Sequence, residues 1–211
     1  MNITKFVHSC LLVETPERVA IFDPGMMSEQ ALDVGKLTRL DDIFITHIHG
    51  DHCSPELIKQ LVIKFPSVRI TAPNEVVDSL AKLGITASHE PPKGAVYFDS
   101  PHESVQPLYP QPEQRGIHYL DVLTDPGDSH SFHETKAILA LPITAPWGSS
   151  IRALNVALEL KPSHVLPIHD WHWNDDARAD TYDRFEEILG KAGIHFYKLQ
   201  TGQPVTIEVA Q

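Results

Sequence analysis

The stretch that constrains this chain most is Ile43-Phe44-Ile45-Thr46-His47-Ile48-His49-Gly50-Asp51-His52. An apolar strand ends there, and four potential metal ligands follow within six positions. Side chains alternate along an extended backbone with a period of two, so His47 and His49 stand on one side and can converge on one ion. Asp51 and His52 come where the chain must turn into a helix. Ser54 offers an N-cap and Pro55 a first helical residue, and Leu57, Ile58, Leu61 and Val62 then recur at helical spacing to about Phe65. Asp51 and His52 can therefore serve a second site beside the first. A lone His-x-His is more often an exposed loop than a metal site. His-x-His-x-Asp-His directly after an apolar strand is not, in a chain with 13 histidines, because imidazole is the commonest metal ligand and is largely neutral near pH 7.

Around this loop the pattern is that of an α/β protein. Apolar runs from about Ile3 to Val13 and from Arg18 to Phe22, separated by Glu14-Thr15-Pro16-Glu17, signal a hairpin. Asp23-Pro24-Gly25 ends the second run. A strand is expected from Val68 to Ala72 and a helix from Asn74 to Leu83 closed by Gly84. Strand-like pieces follow at Ala95 to Phe98, Ile117 to Leu123 and Ala137 to Leu141. Then come a helix from Ile151 to Leu160, a strand from His164 to Ile168, a helix from about Ala177 to Ala192, and strands at His195 to Leu199 and Pro204 to Val209. The halves share an order of strands followed by helices, which suits two sheets packed face to face with helices outside. No repeat of 20 to 50 residues occurs, and a single domain over residues 1–211 is expected.

Thr46 to His52 resembles the signature of the metallo-β-lactamase superfamily, and the order of elements is compatible with that family's four-layer αββα sandwich. The resemblance implies three later ligands, each in a loop after an expected strand: His102 in Ser100-Pro101-His102-Glu103, Asp128 in Pro126-Gly127-Asp128-Ser129, and His169 in Leu166-Pro167-Ile168-His169. Taken singly, these three are ordinary loop or strand-end residues. Carried over from the family, His47, His49 and His102 hold one metal, Asp51, His52 and His169 the other, and Asp128 lies between them. His8-Ser9-Cys10, Phe22-Asp23-Pro24 and Leu141-Pro142-Ile143 are similar to features of the small ascorbate-6-phosphate lactonase-like branch. Asp23 is the candidate to fix a ligating imidazole from behind, with a plain Asp-Pro-Gly turn as the alternative. His118, His130, His133 and His172 are rival histidines. His89, His164 and His195 read as structural or solvent-facing, and Cys53 as a small buried residue at a helix start.

The resemblance implies a hydrolase in which two divalent ions, most simply zinc, with manganese or iron open to the same ligands, acidify a water that attacks a small anionic ester, lactone or phosphodiester. Asp51 and Asp128 are the candidate proton carriers. The alternative is a non-catalytic metal-binding or regulatory protein on the same scaffold. No serine-nucleophile elbow, P-loop or dinucleotide fingerprint offers another chemistry. The formal charge of −11 opposes a nucleic-acid partner. Two cysteines, Cys10 and Cys53, without a CxxC spacing read as reduced thiols. With no leader-like N-terminus and no apolar stretch of membrane length, the expected setting is the cytoplasm, away from membranes. Oligomeric state is not legible. The loop from Pro101 to Gln114 and Thr144-Ala145-Pro146-Trp147-Gly148 are expected to shape the substrate pocket.

Overall fold

The computed structural model describes residues 1–103 and 110–208. The chain forms two compact units, one built from Met1–Pro92, Pro112–Arg115 and the residues from Gln200 on, the other from Lys93–Gln111 and Gly116–Leu199. Each contains one six-stranded mixed sheet and two α-helices.

In the first unit, β1 (Asn2–Lys5), β2 (Leu11–Glu14) and β3 (Val19–Phe22) pair antiparallel, β4 (Asp42–Phe44) and β5 (Arg69–Thr71) continue in parallel, and β12 (Pro204–Thr206) closes the other edge beside β1. Every residue of β3 and β4 is buried, which is why β3 reads as an unbroken apolar run rather than as an alternation, while β4 begins with the buried Asp42, paired with Arg18 and Arg69. Helix α1 (Pro55–Lys64) makes the crossover from β4 to β5. It starts where Ser54 Oγ accepts from Leu57 N at 3.1 Å with Pro55 behind it. Its buried face, Leu57, Ile58 and Leu61, packs with Ile21, Ile43 and Ile45 of the sheet and with Val76 and Leu80 of α2 (Asn74–Ala81). Full burial of each such side chain contributes about 1.5–3 kcal/mol.

The second unit repeats the plan. Strands β6 (Ala95–Phe98), β7 (Gly116–Tyr119) and β8 (Leu123–Asp125) are antiparallel, and β9 (Ile138–Pro142), β10 (His164–Ile168) and β11 (His195–Phe196) follow in parallel. Helices α3 (Ser150–Leu160) and α4 (Asp175–Lys191) form the crossovers, capped by Ser149 and Asn174. Ala153, Val156 and Ala157 of α3 join Phe185 and Leu189 of α4 in a core with Leu139, Leu141 and Val165. Both mixed sheets, flanked by helices, give the α/β class expected from the sequence.

Two expected strands are in fact pairs. The run from Ile3 to Val13 splits into β1 and β2 around a loop in which Phe6 N donates to Cys10 O at 2.8 Å. The run from Ile117 to Leu123 folds back at Leu120 and Asp121, whose φ values of 51° and 56° form a left-handed turn. Neither turn carries the Gly or Asn-Gly that marks such a reversal. Of the loop from Pro101 to Gln114, residues 104–109 lie outside the described residues, as does Val209 at the end of the last expected strand.

Candidate metal centre

In the first unit the candidate ligands hang from the carboxyl ends of β3 and β4. Asp23 N still donates to Phe44 O at 2.9 Å, but a φ of 44° turns Asp23 off the sheet and brings its carboxylate inward, fully buried. Oδ1 accepts from Thr46 N at 2.7 Å, and Oδ2 accepts from Thr46 Oγ at 2.8 Å and meets His52 Nδ1 at 2.6 Å. Thr46 Oγ has one proton and spends it on Asp23, so at its 3.0 Å contact with His47 Nδ1 it accepts. One carboxylate thus sets two tautomers: His47 and His52 carry their protons on Nδ1 and their lone pairs on Nε2. His47 Nε2 faces His49 Nδ1 at 3.1 Å, and the His47 and His52 rings lie 4.2 Å apart.

The loop is wound into place by its backbone. His49 O accepts from His52 N and Cys53 N, Met26 N donates to Gly50 O at 2.8 Å, and Ser54 N donates to Pro24 O at 2.9 Å. Gly25 is pressed so closely on this loop that a Cβ there would lie 1.7 Å from Asp51 O, so the Asp23-Pro24-Gly25 turn and the ligand loop require each other. Asp51 Oδ2 is 3.0 Å from Nε2 of His8. Ligand atoms of His8, Asp51 and His52 all lie within 4.8 Å of one another. The sequence reading noted His8 as part of a motif and gave it no role. Its signal was an imidazole beside Ser9 between the apolar pairs Phe6-Val7 and Cys10-Leu11.

In the second unit, His102, Asp128 and His169 follow β6, β8 and β10. Asp128 Oδ1 is 2.7 Å from His169 Nε2, and Oδ2 is 3.6 Å from His102 Nε2, beyond hydrogen-bond range. Trp147 Nε1 donates to Asp128 Oδ2 at 3.1 Å, and the indole stands edge-on to the His169 ring. Glu103 N holds the backbone carbonyl of Asp128 at 2.9 Å. His169 has a φ of 65°. With His8 at 67° and Asp23 at 44°, three residues of the candidate clusters occupy the left-handed region, where a side chain costs on the order of 1–3 kcal/mol and which collects at functional sites.

The structure therefore brings His47, His49, Asp51 and His52 together in one unit and His102, Asp128 and His169 together in the other. Several imidazoles, two of them with tautomers set from behind by one carboxylate, and carboxylate oxygens among them form a donor set that fits divalent metal ions. Cys53 sits in the apolar core, where burial, aided by Asp23, pushes its thiol up to about 12. It is a packing residue, as expected. His118 stacks on Phe98 and meets Thr124 Oγ at 2.9 Å. His130 donates Nε2–H to Pro142 O at 2.6 Å, and burial lowers its pKa. His133 and His172 are exposed.

Comparison with known proteins places this architecture. Residues 3–54 match the family model of the metallo-β-lactamase superfamily. Igni18, a metallo hydrolase from the archaeon Ignicoccus hospitalis, superposes with a TM-score of 0.74 over 99% of both chains at 19% identity. The metallo-β-lactamase fold protein YhfI from Bacillus subtilis gives 0.67 over 97% of this chain and 98% of its own, at 15% identity. This is the metallo-β-lactamase fold. Among curated sequences, Protein Rv0786c of Mycobacterium tuberculosis is 28% identical over 205 residues, 89% of this chain and 92% of that one. In the metallo-β-lactamase fold family model, the matched span takes in β1 to β4, Asp23 and the whole loop from Thr46 to Ser54.

Proposed function

We propose that this chain is a metal-dependent hydrolase acting on a small anionic ester, lactone or phosphodiester, and that both units work as a single domain. The ligand assignment follows the family resemblance: His47, His49 and His102 for one ion, Asp51, His52 and His169 for the other, Asp128 between them. The observation that carries the reading is the 3.1 Å approach of His47 Nε2 to His49 Nδ1, with the first lone pair fixed through Thr46 and Asp23. With the lone pair on His47 Nε2, this contact is closed either by a His49 Nδ1–H donated to it or, in the metal-loaded state proposed here, by a cation that both nitrogens share. Divalent ions held by these residues would supply acidification of a water and polarisation of the scissile oxygen.

The chain's own groups supply the rest. Asp51 is partly exposed, with 27% of its side chain accessible, so its carboxylate can take a proton from an entering water and pass it on. Asp128 is buried, and the Trp147 indole restrains its Oδ2, which suits a fixed bridging role. Two divalent cations against two aspartates leave a positive centre in a chain of formal charge −11, and that favours a substrate bearing phosphate or carboxylate. The same acidity disfavours nucleic acid. A cytoplasmic setting is part of the proposal; among the described residues no helix is long and apolar enough to cross a membrane. Zinc matches the histidine-rich set, with manganese and iron as competitors. A lactonase-like substrate is the reading the motif around His8 favours.

The double substitution His47→Ala with Asp128→Ala is expected to lose bound metal and hydrolysis together, measured by elemental analysis and by a panel of lactone, phosphodiester and thioester substrates. Full activity in that variant would sink the proposal. Bound metal in the parent chain with no turnover on any class would point to the binding role instead.

A further inference from the structure

We infer that His8 is a protein ligand of the ion assigned to Asp51 and His52, an inference that rests on the dinuclear reading above. The family assignment draws nothing from the β1–β2 loop, yet that loop delivers an imidazole to the site. The His8 side chain is fully buried, its Nε2 lies 3.0 Å from Asp51 Oδ2, and its ring stands edge-on to His52 with centroids 5.4 Å apart. Two donors about 2.1 Å from a common ion and at right angles are separated by about 3.0 Å, so the observed spacing fits neighbouring ligands, as it also fits an N–H···O hydrogen bond.

The backbone is arranged for this. A φ of 67° at His8 is a conformation that glycine adopts freely and a β-carbon resists. It is held by the Ser28 hydroxyl, which accepts from Val7 N at 3.1 Å and donates to Val7 O at 2.9 Å. A turn whose only task was to reverse β1 into β2 would be served better by Gly or Asn. Here the position is spent on aiming a ring at Asp51. Beside Asp51 and His52, His8 is a third protein donor to that ion from this unit, one more than the family assignment places there. A higher coordination number suits manganese or iron better than four-coordinate zinc.

A histidine that merely orients Asp51 through one N–H can be replaced by glutamine, whose amide also donates, whereas glutamine is a poor replacement for a ligating imidazole. The experiment is titration of the metal-free full-length protein with cobalt(II) chloride, followed by its visible spectrum and by bound-metal stoichiometry, for the parent chain, His8→Gln and His8→Ala. The expected result is two ions in the parent, and in both variants an altered cobalt band with the second ion bound at least about tenfold more weakly. Circular dichroism should be unchanged in His8→Gln. A His8→Gln protein matching the parent in spectrum and second-ion affinity would make His8 a positioning residue and overturn the inference alone. A parent chain that takes up no cobalt would overturn the dinuclear reading with it.

Discussion

Asp23 carries more of the candidate centre than any single ligand, because its two oxygens hold the Thr46 backbone, the Thr46 hydroxyl and the His52 ring at once. Replacing it with asparagine keeps the shape and removes one acceptor. The amide nitrogen must then face a donor, either Thr46 N–H or His52 Nδ1–H, and a buried unsatisfied donor costs about 1–3 kcal/mol. His52 can escape by moving its proton to Nε2, which takes away the lone pair a metal needs. Asp23→Asn is therefore expected to weaken metal binding by about 10–100-fold. Calorimetric titration reads the affinity, and nitrogen chemical shifts of the imidazole read the tautomer; unchanged values in both would refute the relay. At this scale the grouping of the candidate ligands was legible where they are contiguous, from His47 to His52. His102, Asp128 and His169 were reachable only through the family resemblance, since single loop residues carry no spacing. His8 stayed without a role because its meaning depends on a reversal between Val7 and Leu11 that the apolar pattern conceals.

Elements were legible in proportion to the local chemistry that ends them. Helices α1, α3 and α4 start at Ser54, Ser149 and Asn174, whose side chains accept from a backbone N–H three residues on; Ser54, followed by Pro55, marked its helix in the sequence, whereas the Asn174 cap was passed over and α4 was expected only from about Ala177. The β1–β2 and β7–β8 reversals escaped because their left-handed positions are filled by His8, Leu120 and Asp121 rather than by glycine. Lys161 shows the same mismatch at the end of α3. Its φ of 53° and ψ of 52° are left-handed, its N–H caps Ala157 O, and its side chain is exposed. Glycine there removes the β-carbon penalty and keeps the cap, so Lys161→Gly is expected to stabilise the protein by about 1 kcal/mol. For a chain of this size that raises the melting temperature by about 2–4 °C. Scanning calorimetry checks it, and a lower melting temperature would show that the lysine side chain makes a contact worth more than the backbone strain.

Over the whole molecule, each unit has its own sheet and its own apolar core, so each has the means to unfold separately. The assignment proposed above would change that, because it draws its ligands from both units, and ions so bound would hold only when the two are folded. A ligand that binds the native state alone stabilises it by about 2.7 kcal/mol at one hundred times its dissociation constant, and that corresponds to about 5–11 °C for a chain of this length. Metal removal by a chelator is therefore expected to lower the melting temperature by that order and to broaden or split the transition, since the units lose their common ligand while keeping separate cores. Restoring the ion should bring back one sharp transition. Calorimetric traces that superimpose with and without chelator, in protein shown to have lost its metal, would mean that the histidines and aspartates bind too weakly to couple the two units, and the dinuclear assignment would fall.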